Sequence, residues 1–191
     1  MTMVQTPPAE ISQAEYDRLL EEPGVEYAHG RVVEKPMSME AAKIGATIIG
    51  LLQRTIAEAS AAVDVFTESW AYRCFADDPR KFRKPDVSVI RAERLKGLDP
   101  QAGFCPIPAD LTVEVISPND IASDVAEKVE EYLANGFPLI WIVEPRTRTV
   151  TVYRPDSVTR LHGDDEITGE SALPSFRCKI SEFFPKPPPK A

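Results

Sequence analysis

The stretch from residue 111 to residue 143 constrains the fold most, because it alternates strand, helix and strand. Residues 111–116 read Leu-Thr-Val-Glu-Val-Ile and residues 139–143 read Leu-Ile-Trp-Ile-Val, and both runs are typical of buried strands. Residues 120–135 between them place apolar side chains on one helical face. A helix that joins two buried strands forms a βαβ crossover, which requires a parallel pair. We therefore expect an α/β fold with a mixed β-sheet flanked by helices.

The other predicted elements surround this crossover. A short helix is predicted at residues 12–20, capped by Ser12, and a long helix at residues 39–60, where apolar residues recur at helical spacing. The segment Ser117-Pro118-Asn119 is predicted to cap the helix at 120–135. Further strands are predicted at residues 31–35, 63–67, 70–75, 85–90, 149–154 and 159–161, with a long loop at 91–110.

Composition excludes several classes of site. The chain has 191 residues, three cysteines and two histidines, so neither a disulfide framework nor a histidine-rich zinc site is indicated. No apolar run is long enough to span a membrane, and the N-terminus lacks the features of a signal peptide. We therefore expect a cytoplasmic protein with no membrane partner.

Charge is distributed unevenly along the chain. The net charge is −8, which argues against simple phosphate neutralisation as the way to bind nucleic acid. Eight basic residues against four acidic ones nevertheless occupy residues 73–96. The basic residues of this segment either contact phosphates or form a solvated loop of mixed charge, and the sequence leaves both interpretations open.

Two carboxylates stand in otherwise apolar strands. Asp86 begins the strand at 85–90, and Glu114 lies within the strand at 111–116, on the face opposite Val113 and Val115. A carboxylate buried in a sheet is costly unless it faces solvent, a partner or a cation. Mg²⁺ prefers oxygen ligands and is usually held by one or two carboxylates. The pair is therefore a candidate metal site.

The next helix carries an acid and a base four residues apart, Asp124 and Lys128. Because this helix follows the strand of Glu114 closely, Lys128 can reach the water beside a metal. The alternative is a surface ion pair between Asp124 and Lys128, and spacing alone favours that alternative.

The order of these motifs resembles the Uma-two-like family of restriction-endonuclease-like proteins, within the PD-(D/E)XK nuclease superfamily. The resemblance spans roughly residues 12–184. It rests on Glu26 followed by Gly30, Lys84-Pro85-Asp86-Val87, Val113-Glu114-Val115-Ile116-Ser117-Pro118, Asp124-x-x-x-Lys128-x-x-x-Tyr132, Asn135-Gly136 and Trp141-Ile142-Val143-Glu144-Pro145.

This resemblance implies a restriction-endonuclease-like mixed sheet of four core strands in a single domain at 11–184. A disordered N-terminal tail at 1–10 and a Pro-rich C-terminal tail at 185–191 would flank it. The resemblance further implies that Asp86, Glu114 and the main-chain carbonyl of Val115 bind Mg²⁺ or Mn²⁺. It also implies that Lys128 takes the catalytic lysine role and that Glu26 and Asp124 are additional catalytic acids.

The chain departs from the superfamily pattern at two positions. Ile116 occupies the usual lysine position, and the histidine often found near Ala41 is missing. The expected function is a metal-dependent endonuclease that acts on nucleic acid, with DNA favoured and a homodimer expected by analogy. The alternative is a catalytically inactive nuclease-fold module that binds nucleic acid or protein.

Overall fold

The computed structural model describes residues 11–35 and 37–184, and both predicted tails lie outside the described residues. The helices are α1 (Gln13–Glu21), α2 (Met39–Ala59), α3 (Ala92–Leu95) and α4 (Ala122–Ala134), followed by a 3-10 helix at Ile180–Phe183. The strands are β1 (Val25–Ala28), β2 (Arg31–Glu34), β3 (Val63–Thr67), β4 (Ala71–Tyr72), β5 (Val87–Arg91), β6 (Phe104–Cys105), β7 (Leu111–Val115), β8 (Ile140–Glu144), β9 (Thr149–Arg154), β10 (Ser157–His162), β11 (Glu166–Gly169) and β12 (Leu173–Lys179).

A six-stranded sheet with the order β10-β9-β8-β7-β5-β3 forms the centre of the fold. Strands β7 and β8 are parallel and are joined by α4, while the other neighbouring strands in this sheet are antiparallel. The predicted α/β class, with a mixed sheet flanked by helices, is therefore confirmed. The sheet has six strands rather than the four implied, because the hairpin of β9 and β10 extends it beyond β8.

The two faces of the sheet are covered by different helices. Alternate residues of β7 and β8, including Val113 and Trp141, pack with α2, β12 and the 3-10 helix in one apolar cluster. The intervening residues, including Ile140 and Ile142, pack with α4 in a second cluster. Strand β8 is thus covered on both faces, as its apolar run predicts. Glu114 belongs to the α4 face, opposite Val113, which confirms its predicted orientation.

The N-terminal helix and hairpin form a third, smaller cluster beside the sheet. Tyr16 and Leu19 of α1 pack against Tyr27 of β1 and against Phe82. Ser12 caps α1 as predicted, because its Oγ accepts the Glu15 N–H at 3.2 Å. The hairpin of β1 and β2 contains the buried acid Glu26.

Several local predictions are wrong. The predicted loop at 91–110 contains α3 and β6, and β6 pairs with β4 in a parallel bridge. Strands β1, β11 and β12 are additional to the prediction, since they form in local hairpins and lack a clear apolar alternation. The predicted cap of α4 also fails. Ile121 takes the N-cap position, while the Asp120 carboxylate accepts the Ser117 N–H at 2.7 Å and closes a turn ahead of the helix.

Among the described residues, no helix is both long and apolar enough to cross a membrane.

Candidate functional site

The two carboxylates identified in the sequence lie side by side on neighbouring strands. Val87 of β5 pairs with Val113 of β7 in an antiparallel register. Asp86 directly precedes Val87 and Glu114 directly follows Val113, so the two acids are neighbours across the strands. Both acids are nearly inaccessible, with 8% and 6% exposure. They lie on the wall of a cavity of about 370 Å³, where Glu26 of β1 joins them. The structure therefore brings together three acids that are far apart in the sequence.

A lysine that the sequence did not indicate lies between these acids. The Nζ of Lys35, just after β2, contacts Asp86 Oδ1 at 3.1 Å and Glu114 Oε2 at 3.0 Å. It also donates to the carbonyl oxygen of Lys84 at 2.8 Å and lies 3.8 Å from Glu26 Oε1. Three oxygens, those of Asp86, Glu114 and the Lys84 carbonyl, thus lie within hydrogen-bonding distance of one positively charged nitrogen.

Lys128 approaches the same acids from α4. Its Nζ lies 2.8 Å from Glu26 Oε1 and 2.8 Å from Glu114 Oε1. The Tyr132 hydroxyl, one helical turn further on, donates to the same Glu114 Oε1 at 2.8 Å. Each oxygen of the Glu114 carboxylate is therefore engaged, Oε1 by α4 and Oε2 by Lys35.

Asp124 and Val115 also line the cavity, but their surroundings differ from those of the buried acids. Asp124 is exposed on the first turn of α4, and its Oδ1 accepts the Ser123 hydroxyl at 3.1 Å. The Asp124–Lys128 ion pair favoured by spacing does not form, because Lys128 reaches inward to Glu26 and Glu114. The Val115 N–H donates to Asp86 Oδ2 at 2.6 Å and so fixes that carboxylate.

A second group of charged residues contacts Glu26 on the carboxylate oxygen away from Lys35 and Lys128. Arg83 Nη1 binds Glu26 Oε2 at 3.0 Å, and its Nη2 binds Glu131 Oε2 at 2.6 Å. Lys81 Nζ contacts Glu131 Oε1 at 2.9 Å and Asp77 Oδ2 at 2.6 Å. These pairs hold the β1–β2 hairpin, the 77–83 segment and α4 together.

Three basic residues of the segment at 73–96 lie in the interior rather than on a surface that phosphates can reach. Lys81, Arg83 and Lys84 are buried. Lys84 Nζ donates to the carbonyl oxygens of Leu19 and Glu22, so it closes the C-terminal end of α1. In the same segment Lys96 is exposed, and the Arg91 side chain is 40% exposed although it contacts Glu93 and Asp110. The three buried charges therefore make internal contacts, and phosphate contacts by the remaining basic residues stay a prediction.

The cations set the ionisation of two of the acids. Burial opposes the ionisation of Glu26, but Lys128, Lys35 and Arg83 outweigh it and lower the pKa of Glu26 to about 2. Burial likewise opposes the ionisation of Glu114, and Lys128 and Lys35 again lower its pKa. Both groups are therefore carboxylates at neutral pH.

Asp86 behaves differently, because fewer cations surround it. Burial raises the pKa of Asp86, the Glu114 charge raises it further, and Lys35 and the Val115 N–H only partly offset the rise. A cation placed between Asp86 and Glu114 would stabilise the charged form of both acids.

The donor set fits a hard divalent cation. The oxygens that face Lys35 Nζ are two carboxylate oxygens and the carbonyl oxygen of Lys84. Oxygen-only sets with one or two carboxylates are typical of Mg²⁺ sites, in which water completes the coordination. Within residues 11–35 and 37–184, no group of three or more His, Cys, Asp or Glu side chains is arranged as a metal cluster. The fit therefore depends on Asp86, Glu114 and main-chain carbonyls.

Sequence reasoning missed Lys35, the Lys84 carbonyl and the role of Tyr132. Lys35 is separated from Asp86 by 51 residues and from Glu114 by 79, so no spacing rule connects them. Tyr132 does lie four residues after Lys128, and this helical spacing was the available signal for its contact with Glu114.

Comparisons with known proteins agree with this architecture. The chain is similar to the crystal structure of a putative nuclease belonging to DUF820 from Anabaena variabilis ATCC 29413. The two share 24% sequence identity and superpose with a TM-score of 0.76, over 91% of this chain and 97% of that chain. This likeness supports the fold. No curated protein sequence matches the chain.

A family model gives the more specific result. The model described as "Putative restriction endonuclease" matches residues 13–181, which is most of the chain and contains every acid and lysine of the cavity. The protein therefore belongs to the Uma2 family of putative restriction endonucleases.

Proposed function

We propose that this protein is a metal-dependent endonuclease that hydrolyses phosphodiester bonds in nucleic acid, with DNA as its substrate. The observation that carries the proposal is the convergence of Asp86 Oδ1 and Glu114 Oε2 on a single positive charge. Membership of the Uma2 family supports the reaction class, and the oxygen donor set supports a hard metal ion.

In this proposal Asp86 and Glu114 hold Mg²⁺ or Mn²⁺, with the Val115 carbonyl as a further ligand. The Lys84 carbonyl, which contacts Lys35 Nζ, is a second main-chain candidate. When bound, a divalent cation polarises the scissile phosphate and lowers the pKa of water beside it.

Lys128 is the proposed catalytic lysine. Its ammonium has three N–H donors, and Glu26 and Glu114 each lie 2.8 Å from Nζ. The remaining donor can bind a phosphate oxygen and stabilise the negative charge that develops there. Glu26 orients the Lys128 ammonium, and Tyr132 fixes the Glu114 carboxylate. Asp124, at the exposed rim of the cavity, is proposed to act on the water or substrate from outside the buried acids.

The test is cleavage of supercoiled plasmid by purified protein with Mg²⁺ or Mn²⁺. We expect nicked or linear product from the wild type and at least a hundredfold loss in Glu114→Gln and Asp86→Asn, since losing one electrostatic contact at a reacting group costs about 10²–10³ in rate. The matched control is Glu130→Gln, an exposed acid on α4, which should cleave like the wild type. Equal cleavage by all four proteins would indicate a contaminating nuclease and contradict the proposal.

The competing candidate is a nuclease-fold module without catalysis, favoured by Ile116 at the usual lysine position. Such a module binds nucleic acid or protein but shows no metal-dependent cleavage under these conditions. A homodimer is proposed by analogy, because restriction-like enzymes often cut two strands with two copies, and light scattering during gel filtration measures its mass.

A further inference from the structure

The Lys35 ammonium is held where the proposed metal ligands face each other. Its Nζ lies 3.0 Å from Glu114 Oε2 and 3.1 Å from Asp86 Oδ1, and it donates to the Lys84 carbonyl at 2.8 Å. The Lys35 side chain is 19% exposed, so the contacts are mostly shielded from water. No other cation of the described residues contacts both Asp86 and Glu114 in this way.

The backbone of Lys35 is anchored, whereas its side chain is a flexible tether. The Lys35 N–H donates to the Gly24 carbonyl at 2.8 Å, which ties the end of β2 to the start of the hairpin. The ammonium reaches the acids only through an unbranched stem of four carbons. The ammonium can therefore leave the acids by a change of rotamer, without disturbing the hairpin that carries Glu26.

We propose that Lys35 is a built-in competitor for the divalent cation: its ammonium binds the Asp86 and Glu114 oxygens in the metal-free protein and is displaced when the cation binds. This inference rests on the proposed metal site. It assigns a role in setting metal affinity to a residue that lies outside the motifs resembling the family.

Geometry and charge both prevent the Lys35 ammonium and a metal ion from binding the two acids at the same time. Mg²⁺ lies about 2.0–2.1 Å from its oxygen ligands, so an ion bound to these two carboxylate oxygens takes the space in which the ammonium now lies. An ammonium and a divalent ion at such a separation also repel strongly in a buried site. The acids therefore bind one cation or the other, and the affinity for metal is lowered by the cost of releasing Lys35.

Lys128 is distinguished from Lys35 by the oxygens it contacts. Its Nζ binds Glu114 on Oε1, the oxygen shared with Tyr132, and binds Glu26 on the other side. Lys128 therefore adds positive charge to the site without filling the space between Asp86 and Glu114. Removing either lysine makes the site more negative. Only the removal of Lys35 also frees Asp86 Oδ1 and Glu114 Oε2 to bind a metal ion.

The first experiment is calorimetric titration of the full chain with Mn²⁺. We expect Lys35→Met to bind Mn²⁺ about tenfold more tightly than the wild type, equivalent to about 1.4 kcal/mol. Lys128→Met should bind more tightly by a smaller factor. The control Lys43→Met, which removes an exposed lysine from α2, should match the wild type. Lys35→Gln, which keeps a donor for the Lys84 carbonyl, is a second variant in case Lys35→Met folds poorly.

The second experiment uses the wild type alone and does not depend on any variant. An amine-acetylating reagent should modify Lys35 slowly in EDTA and several times faster in saturating Mn²⁺, because the displaced ammonium enters solvent. Mass spectrometry of peptides quantifies each lysine. Lys43 provides the internal control, since its acetylation should be the same in both conditions.

The outcomes separate this inference from the function on which it rests. One outcome is that the wild type, Lys35→Met and Lys35→Gln bind Mn²⁺ with equal affinity while Glu114→Gln does not bind it. That result would overturn the proposed competition by Lys35 and leave the metal site in place. Unchanged Lys35 acetylation at saturating Mn²⁺ would do the same. Failure of every protein, including both Lys35 variants, to bind Mn²⁺ would overturn the competition together with the proposed metal site.

Discussion

Arg83 is a buried cation that joins two acids from different elements. Its guanidinium bridges Glu26 and Glu131, which approach it from the β1–β2 hairpin and from α4. Arginine suits this position, because its planar fork can bind two carboxylates at once. Burying such a pair contributes little net stability by itself, but removing one partner leaves an uncompensated charge in the interior.

We therefore expect Arg83→Met to lower the free energy of unfolding by about 3 kcal/mol, the lower end of the range for broken buried pairs, because Glu26 keeps Lys128 as a partner. Urea denaturation followed by circular dichroism measures this. Arg18→Met, an exposed arginine of α1, serves as the control and should change the free energy by less than about 0.5 kcal/mol. Equal effects of the two substitutions would contradict the role given to Arg83.

Glu26 links the stability of the fold to pH. Its pKa is about 2 in the folded protein, against an ordinary value of 4.5. A carboxyl group with a lowered folded-state pKa stabilises the fold fully above its unfolded pKa, and the contribution is lost as pH falls from about 4.5 towards about 2. The pKa of Glu114 is lowered in the same sense, whereas that of Asp86 is raised and offsets part of the loss.

Thermal unfolding between about pH 6 and pH 2 should therefore show a falling Tm for the wild type. Glu26→Gln should show a shallower fall over the same range, because the variant lacks this titrating group. Glu58→Gln, which alters an exposed acid of α2, should follow the wild-type slope. A Glu26→Gln slope as steep as the wild type would show that Glu26 does not contribute to the acid sensitivity.

Sequence reasoning singled out residues whose own strand or helix makes them unusual. Asp86 and Glu114 stood out because a carboxylate in an apolar strand requires an explanation. Lys35 did not, because a lysine at the end of a short strand is an ordinary surface residue until the fold places two acids beside it. Lys81 and Lys84 were misread for the same reason, since only the packing of α1 and α4 makes them interior residues.

At the scale of elements, the crossover from β7 through α4 to β8 was predictable, and the hairpin of β11 and β12 was not. The crossover consists of long apolar runs with clear periodicity, which sequence reasoning detects well. Strands β11 and β12 form a separate two-stranded sheet with a register shift between Thr168 and Gly169. Such an irregularity follows from close packing between the two strands, which the sequence does not display.

Gly169 shows how tight that packing is. A Cβ atom added there would lie 2.5 Å from the Leu173 carbonyl oxygen, so the backbone must shift to admit it. We expect Gly169→Ala to lower the free energy of unfolding by about 2 kcal/mol, in the range for overpacking. Chemical denaturation with urea provides the measurement.

Gly50 of α2 provides the opposite case for the same substitution. A Cβ at this exposed helical position meets no atom within 4 Å. Gly50→Ala should raise the free energy of unfolding by about 1 kcal/mol, since alanine favours the helix over glycine by about that amount. If Gly169→Ala leaves the free energy of unfolding unchanged or raises it, the close approach at Gly169 does not determine its residue type.

For the whole molecule, charge governs how nucleic acid can approach. The net charge is −8, and the cavity is lined by six carboxylates and three cationic side chains. Three cations of the basic segment, Lys81, Arg83 and Lys84, compensate little because they are buried and make internal contacts. A phosphate therefore meets a repulsive cavity unless divalent cations are present.

We expect a fluorescent duplex to show no binding in EDTA at about 0.1 M salt, where screening still leaves short-range repulsion. Addition of Mn²⁺ should produce binding to the wild type, measured by anisotropy, and Glu114→Gln should abolish it. Glu130→Gln serves again as the control and should bind as the wild type does. Strong binding in EDTA would show that a surface away from the cavity takes the nucleic acid.

The charged cluster also has a consequence for synthesis of the chain. Its members come from residues 26, 35, 86, 114 and 128, and strand β8, which supports β7 from its other side, ends at Glu144. A nascent chain cannot assemble the supported cluster until residue 144 has left the ribosome. Any activity of these groups therefore begins only after β8 has emerged, and shorter nascent chains carry no complete site.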